Sequence, residues 1–212
     1  MNTFLEFLIS NFKFLNNFQT PMTKTSRNHK IKQPFLLIID GMTGAGKTTT
    51  SKLLSEKLPR TAIVGMDKIK RFISDFERCK QDNDIARDIV FEMTKKYFDH
   101  NISVIVEQPF LNKDLKRYEY LSEKSKIPLC KVQLFADSNI ALNRVRERQK
   151  EREAKDKVPE ERVKHNISLF KNKESEGFLV IDTSNKDNQE VTEEIMKFLS
   201  NKKYLMSVFP TE

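Results

Sequence analysis

The sequence predicts an α/β protein: a parallel sheet of five strands with helices packed on both faces. Three observations carry that expectation. Short apolar runs alternate with longer segments of helical period along most of the chain. The runs are apolar on both sides rather than alternating, which is the pattern of parallel strands covered on each face. A chain of 212 residues is long enough to bury such a sheet in one substantial domain.

The elements follow in order from Phe35. "FLLIID" (35–40) is the first strand. A glycine-rich loop leads into a helix running through about Leu58, with Leu53, Leu54 and Leu58 facing inward; Pro59 stops it. "TAIVGMD" (61–67) is the second strand, followed by a short helix over 68–76. A longer helix near 84–99 places Ile85, Ile89, Met93 and Tyr97 at helical spacing. "ISVIVEQ" (102–108) is the third strand, ended by Pro109, and a helix covers roughly 113–125. "LCKVQLFA" (129–136) is the fourth strand. The helix over 138–153 opens on Ser138 as its cap, and Pro159 opens another that reaches about Phe170. "FLVIDTS" (178–184) is the fifth strand and 188–200 the closing helix. This places a domain at 35–201 and a tail at 202–212.

Residues 1–34 read differently. Phe4, Leu8, Phe12 and Leu15 fit helical spacing, yet the positive start and small-residue cleavage site of a secretory signal are missing. Three readings stand: a helix packed on the domain, a weak surface anchor, or a translation start at Met22. Residues 23–33 read as a polar linker. The segment carries five basic residues against Glu6 alone, so half of the net charge of +8 lies outside the expected domain. The charge left on the domain suits a phosphate-handling protein and argues mildly against a nucleic-acid channel.

The chain holds only five glycines, and three of them, Gly41, Gly44 and Gly46, fall within six residues. Gly41-Met42-Thr43-Gly44-Ala45-Gly46-Lys47-Thr48 matches G-x4-G-K-[ST] between a strand and a helix. Glycine lets the backbone curl and approach a phosphate closely. The curled N–H groups and the helix N-terminus then converge on one anion, which Thr49 would extend into the first turn. Lys47 would reach the outer phosphates of a nucleoside triphosphate, and Thr48 would bind Mg2+ through its hydroxyl.

In a parallel sheet ligands gather at the carboxyl ends of the strands. Asp67, which ends the second strand, could take a proton from an attacking hydroxyl or cap the helix that follows. Lys70 and Arg71 sit one turn later and could grip an acceptor. Glu107 could reach Mg2+ or the acceptor, or end its strand in solvent. Arg144, Arg148 and Arg152 share one helix face, with Arg146 nearby, and could close as a lid over the phosphates. Residues 144–164 also hold nine basic and six acidic side chains, the composition of a solvated charged helix, with Glu147 and Glu151 available as partners. Thr183, Ser184 and Asn185 form a polar loop that could touch a purine ring.

These features resemble the small P-loop kinases of adenylate-kinase-like architecture. "GMDKIKRF" is most similar to the branch of zeta toxins, chloramphenicol phosphotransferases and polynucleotide 5′-kinases. The resemblance covers roughly 35–200 and implies a P-loop NTPase fold with strand order 2-3-1-4-5. It further implies Lys47 and Thr48 on ATP and Mg2+, Asp67 as base, and Arg144 or Arg148 in the lid. Glu107 departs from the Asp that many relatives carry.

The expected function is transfer of the γ-phosphate of ATP to a hydroxyl of a small molecule or nucleotide. A kinase for RNA or DNA 5′ ends and a non-catalytic nucleotide switch are the alternatives. "SNKDN" (184–188) lacks the spacing of a guanine-reading motif, which favours ATP over GTP. Cys79 and Cys130 lie far apart and the three histidines are scattered, so a reduced, cytoplasmic protein without a histidine metal cluster is expected. No run of the sequence reaches the length of a membrane span. Acceptor identity and oligomeric state stay open.

Overall fold

The computed structural model describes residues 34–150, 157–171 and 176–201. The N-terminal apolar segment with its linker, Arg152 and the tail from 202 lie outside them. The expected sheet is present: β1 (Leu36–Gly41), β2 (Thr61–Val64), β3 (Ser103–Glu107), β4 (Leu129–Phe135) and β5 (Leu179–Asp182), in the order β2-β3-β1-β4-β5. Every pairing is parallel. The helices are α1 (Lys47–Lys57), α2 (Met66–Lys70), α3 (Lys80–Asp99), α4 (Asn112–Ser125), α5 (Ser138–Lys150), α6 (Glu160–Lys171) and α7 (Asn188–Ser200).

All six residues of β1 are buried, as a central strand covered on both faces requires. Its side chains alternate between two cores. Leu37 and Ile39 join Leu54 of α1, Ala141 and Val145 of α5, and Ile195 and Leu199 of α7. Leu36 and Ile38 join Ala86 and Val90 of α3 and Tyr118 of α4. In α1 the inward pair is Leu54 and Leu58, while Leu53 is half-buried. Among the described residues no helix is long and apolar enough to cross a membrane. Cys79 and Cys130 are both free, and burial pushes the Cys130 thiol up to about 12.

Several sequence expectations need correction. The stripe of α3 on the sheet is Ala86, Val90, Thr94 and Phe98, one residue round from the stripe the spacing suggested. Ile85 and Ile89 are 41% exposed, and Met93 and Tyr97 lie on the flank of the core. Small residues let α3 approach the sheet closely, and the Thr94 hydroxyl meets its need by donating to the Val90 carbonyl at 2.8 Å. The helix also starts earlier, because Cys79 accepts from the Asp82 amide at 3.4 Å. Beyond β2 the helical stretch is only Met66–Lys70. For α5 the capping side chain is Asp137, which accepts from the amides of Asn139 and Ile140 at 2.8 and 3.3 Å; Ser138 is already helical.

Candidate active site

The glycine-rich loop joins the carboxyl end of β1 to α1, so it sits where the sheet's ligand crevice opens. The first turn of α1 carries no acid and has no side-chain cap at Gly46, which leaves its amides facing the crevice. Gly44 has φ +88°, and a Cβ there would stand 2.4 Å from the Ala141 carbonyl oxygen. The loop therefore rests directly on α5. Met42 and Ala45 are buried beneath it. The Lys47 ammonium curls back and donates to the carbonyls of Gly41 and Met42 at 2.6 and 2.9 Å. Burial lowers its pKa, opposed by the nearby carboxylates of Asp40, Asp67 and Glu107.

A cleft of about 140 Å³ opens over this loop. Thr43, Gly44, Gly46, Lys47, Thr48 and Thr49 form one wall; Asp67, Lys68, Glu107, Gln108 and Arg148 face them. A larger hollow of about 530 Å³, bordered by Tyr120, Cys130 and Phe198, holds none of the candidate catalytic, nucleotide-binding or metal-binding residues.

The opposite wall depends on a fourth glycine. At Gly65 a Cβ would lie 2.5 Å from the Glu107 carbonyl oxygen, so only glycine lets the end of β2 close on the end of β3. That approach sets Asp67 and Glu107 on one wall. Asp67 lies in the first turn of α2 rather than on the strand, and Gly65, not Asp67, occupies the cap position. Its side chain is 82% exposed to the crevice and pairs with the buried Lys70 at 3.0 Å. Enclosure would raise its pKa, but the Lys70 charge and hydrogen bond hold the carboxyl below the usual range. Lys70 is fixed in turn by Asn83 at 3.0 Å, whereas Arg71 is exposed.

Glu107 is half-buried, with its Oε1 3.8 Å from Lys68. Its buried Oε2 has no hydrogen-bond partner among the described residues. Burial raises the pKa of this carboxyl, opposed by Lys68 and by the neighbouring Ser51 hydroxyl, which itself donates to the Lys47 carbonyl at 2.9 Å. An orphaned carboxylate oxygen and the exposed Thr48 hydroxyl lining one cleft fit a hard cation, which prefers oxygen ligands.

The arginines of α5 divide. Arg148 lines the cleft and is close enough to Lys47 to influence its charge. Arg144 turns to the loop after β5, donating to the Thr183 hydroxyl at 3.1 Å and carbonyl at 2.8 Å. Arg146 is paired with Glu160 of α6, and Glu147 with Lys150. Ser184 accepts from the Asp137 amide at 2.8 Å and donates to Asp182 at 2.6 Å, which firms the polar loop beside the phosphate loop.

Sequence reasoning passed over two residues that build this site, Asp40 and Gln108, and gave a third, Thr183, only a place in the polar loop after β5. Asp40 is fully buried, and its Oδ1 accepts from the amides of Gly41 and Phe110 at 2.8 and 3.2 Å, tying the ends of β1 and β3 together. The one charged residue in "FLLIID" was the available signal. Thr183 donates to the carbonyls of Phe135 and Ala45 at 3.0 and 3.3 Å, joining β4, β5 and the phosphate loop. Gln108, 2% exposed, lines the cleft beside Glu107.

A family model described as "AAA domain" matches residues 36–172, and the chain belongs to this family. The chain is 28% identical over 192 residues to a "Probable thymidylate kinase" of Methanococcus maripaludis strain C7, covering 78% of this chain and 95% of that one. The tunicamycin resistance protein of Deinococcus radiodurans shares the fold with a TM-score of 0.55 and 20% identity, over 79% of this chain and 96% of the other. A gluconokinase from Sinorhizobium meliloti 1021 does so with a TM-score of 0.56 and 14% identity, over 84% and 97%.

Proposed function

We propose, from the premise that the chain belongs to the AAA domain family, that it is an ATP-dependent phosphotransferase acting on a hydroxyl of a small molecule or nucleotide. The single observation that carries the reading is convergence. Lys47, Asp67, Glu107 and Arg148 reach one cleft from four separate elements, and they are the charges that phosphoryl transfer calls for. The resemblance to a thymidylate kinase supports a nucleotide or small molecule as acceptor.

The amides of the loop from Gly41 to Thr49 and the Lys47 ammonium hold the triphosphate tail. Thr48 and the orphaned Glu107 Oε2 would hold Mg2+, which when bound neutralises charge on the transferring group. Asp67, kept ionised by Lys70, orients the acceptor hydroxyl and accepts its proton. Arg148 offsets charge as the phosphoryl group moves. Arg144 acts one step removed: it holds Thr183, and through it the Ala45 carbonyl and the loop that bears Ser184. The protein's contribution is position and electrostatics rather than a covalent intermediate. Two free cysteines suit a cytoplasmic setting.

The test is label transfer from γ-labelled ATP to a panel of metabolites and oligonucleotides. Label on an acceptor, lost by more than about 100-fold in Asp67→Asn while nucleotide stays bound, is the expected result. Tight binding with no transfer to any acceptor would point to a nucleotide switch instead.

A further inference from the structure

We infer that Gln108 is an acceptor-reading residue, and that the acceptor it reads presents adjacent hydroxyl groups rather than the edge of a base; the inference rests on the phosphotransferase reading above. Gln108 is 2% exposed and lines the cleft, yet neither Oε1 nor Nε2 has a hydrogen-bond partner among the described residues. Buried amides are nearly always paired, so an unpaired amide tucked into a cleft wall marks a place where a ligand seated in the cleft can complete it.

Relaxation of the loop does not meet that need, because the residues beyond it are pinned. The Phe110 amide donates to Asp40 at 3.2 Å, and the Leu111 amide donates to Asp114 at 3.3 Å. Gln108 lines the same cleft as Thr48 and Asp67, the residues that address the reacting groups.

The chemistry of the amide selects the ligand. Oε1 accepts and Nε2 donates, side by side. A hydroxyl does both, and two neighbouring hydroxyls satisfy both ends at once. A nucleobase edge could match the same pair, but bases are usually held by a stacked ring as well. No aromatic residue lines this cleft among the described residues. Phe110 is buried behind the wall and packs edge-on against Tyr118, at 5.6 Å between ring centres. The acceptor class is therefore a polyol or sugar with a vicinal diol.

The test measures transfer from γ-labelled ATP to D-glucose, D-ribose and glycerol, each beside a deoxy analogue, and to thymidine 5′-monophosphate. At least one diol should take label, with kcat/KM at least about tenfold above its deoxy analogue, since a site built for a hydroxyl rejects the molecule lacking it. Gln108→Leu should bring that ratio to within about threefold through KM, with Mg·ATP affinity held within about twofold. Gln108→Glu keeps the shape and loses the donor, so it should fall between; it carries the test if the leucine variant does not fold. A merely structural role would lower both acceptors alike and leave the ratio in place. Label on thymidine 5′-monophosphate alone, label on no diol, or an unchanged ratio in both variants overturns the inference. Transfer to a non-diol acceptor leaves the parent reading standing, whereas failure to bind Mg·ATP removes both.

Discussion

At the scale of single residues, the site is a set of charges held in chosen states by their neighbours. Asp67 is the base in the proposed mechanism, and Lys70 depresses its pKa. A depressed carboxyl stays ionised until the pH falls below the usual Asp range, so the acid limb of kcat/KM should lie there. Lys70→Gln removes the cation and should move that limb to higher pH, read from a pH–rate profile. Glu107 is the reverse case, a carboxylate with one buried oxygen left unmatched. Glu107→Gln removes a poorly compensated charge. It should raise the stability of the metal-free protein by about 1 kcal/mol and weaken the Mg2+ dependence of ATP binding by about tenfold. Melting in chelator and binding titrations check both halves. Lys47, Thr48, Asp67 and Glu107 were legible in the sequence because chemistry at strand ends has few alternatives. Asp40 was not, and Thr183 was read only as part of a polar loop, without its structural role. Their roles are hydrogen bonds across 70 and 138 residues of chain, which no local pattern encodes.

At the scale of elements, the loop and α3 show what spacing can and cannot tell. The glycine triplet identified the loop, but the reason each glycine is needed differs. Gly44 and Gly46 both have positive φ, yet a Cβ on Gly44 meets the Ala141 backbone while one on Gly46 meets nothing closer than 3.5 Å. Gly44→Ala should therefore cost about 3 kcal/mol, from strain plus overlap. Gly46→Ala should cost about 1 kcal/mol, from strain alone. Denaturant melts would rank the two, and equal losses would refute the packing account. In α3 the period was right and the phase wrong by one residue. Two adjacent i, i+4 stripes are both apolar enough to face a core, and only the sheet decides between them. Val90→Ala should cost about 2 kcal/mol, and Ile89→Ala less than about 1 kcal/mol.

At the scale of the whole molecule, the element sequence was readable from the alternation of apolar runs and helical segments, and the sheet order from the resemblance to the small P-loop kinases. How the charged segment after α5 meets the rest of the chain was not readable. Arg162 of α6 donates to the carbonyl of Arg78, between α2 and α3, at 2.7 Å, so the arm beyond α5 reaches the arm that bears Asp67. Arg162→Ala should leave global stability within about 0.5 kcal/mol while speeding amide exchange over residues 71–79. All of these arrangements serve one claim: a curled backbone and a single ammonium group bind a triphosphate tail, and a separate carboxylate acts on the acceptor. Calorimetric titration of Mg·ATP into the wild type, Lys47→Ala and Asp67→Asn tests it most directly. Binding should weaken by at least about 100-fold in Lys47→Ala and stay within about threefold in Asp67→Asn. Equal affinity in Lys47→Ala and the wild type, or no binding by the wild type, would contradict it.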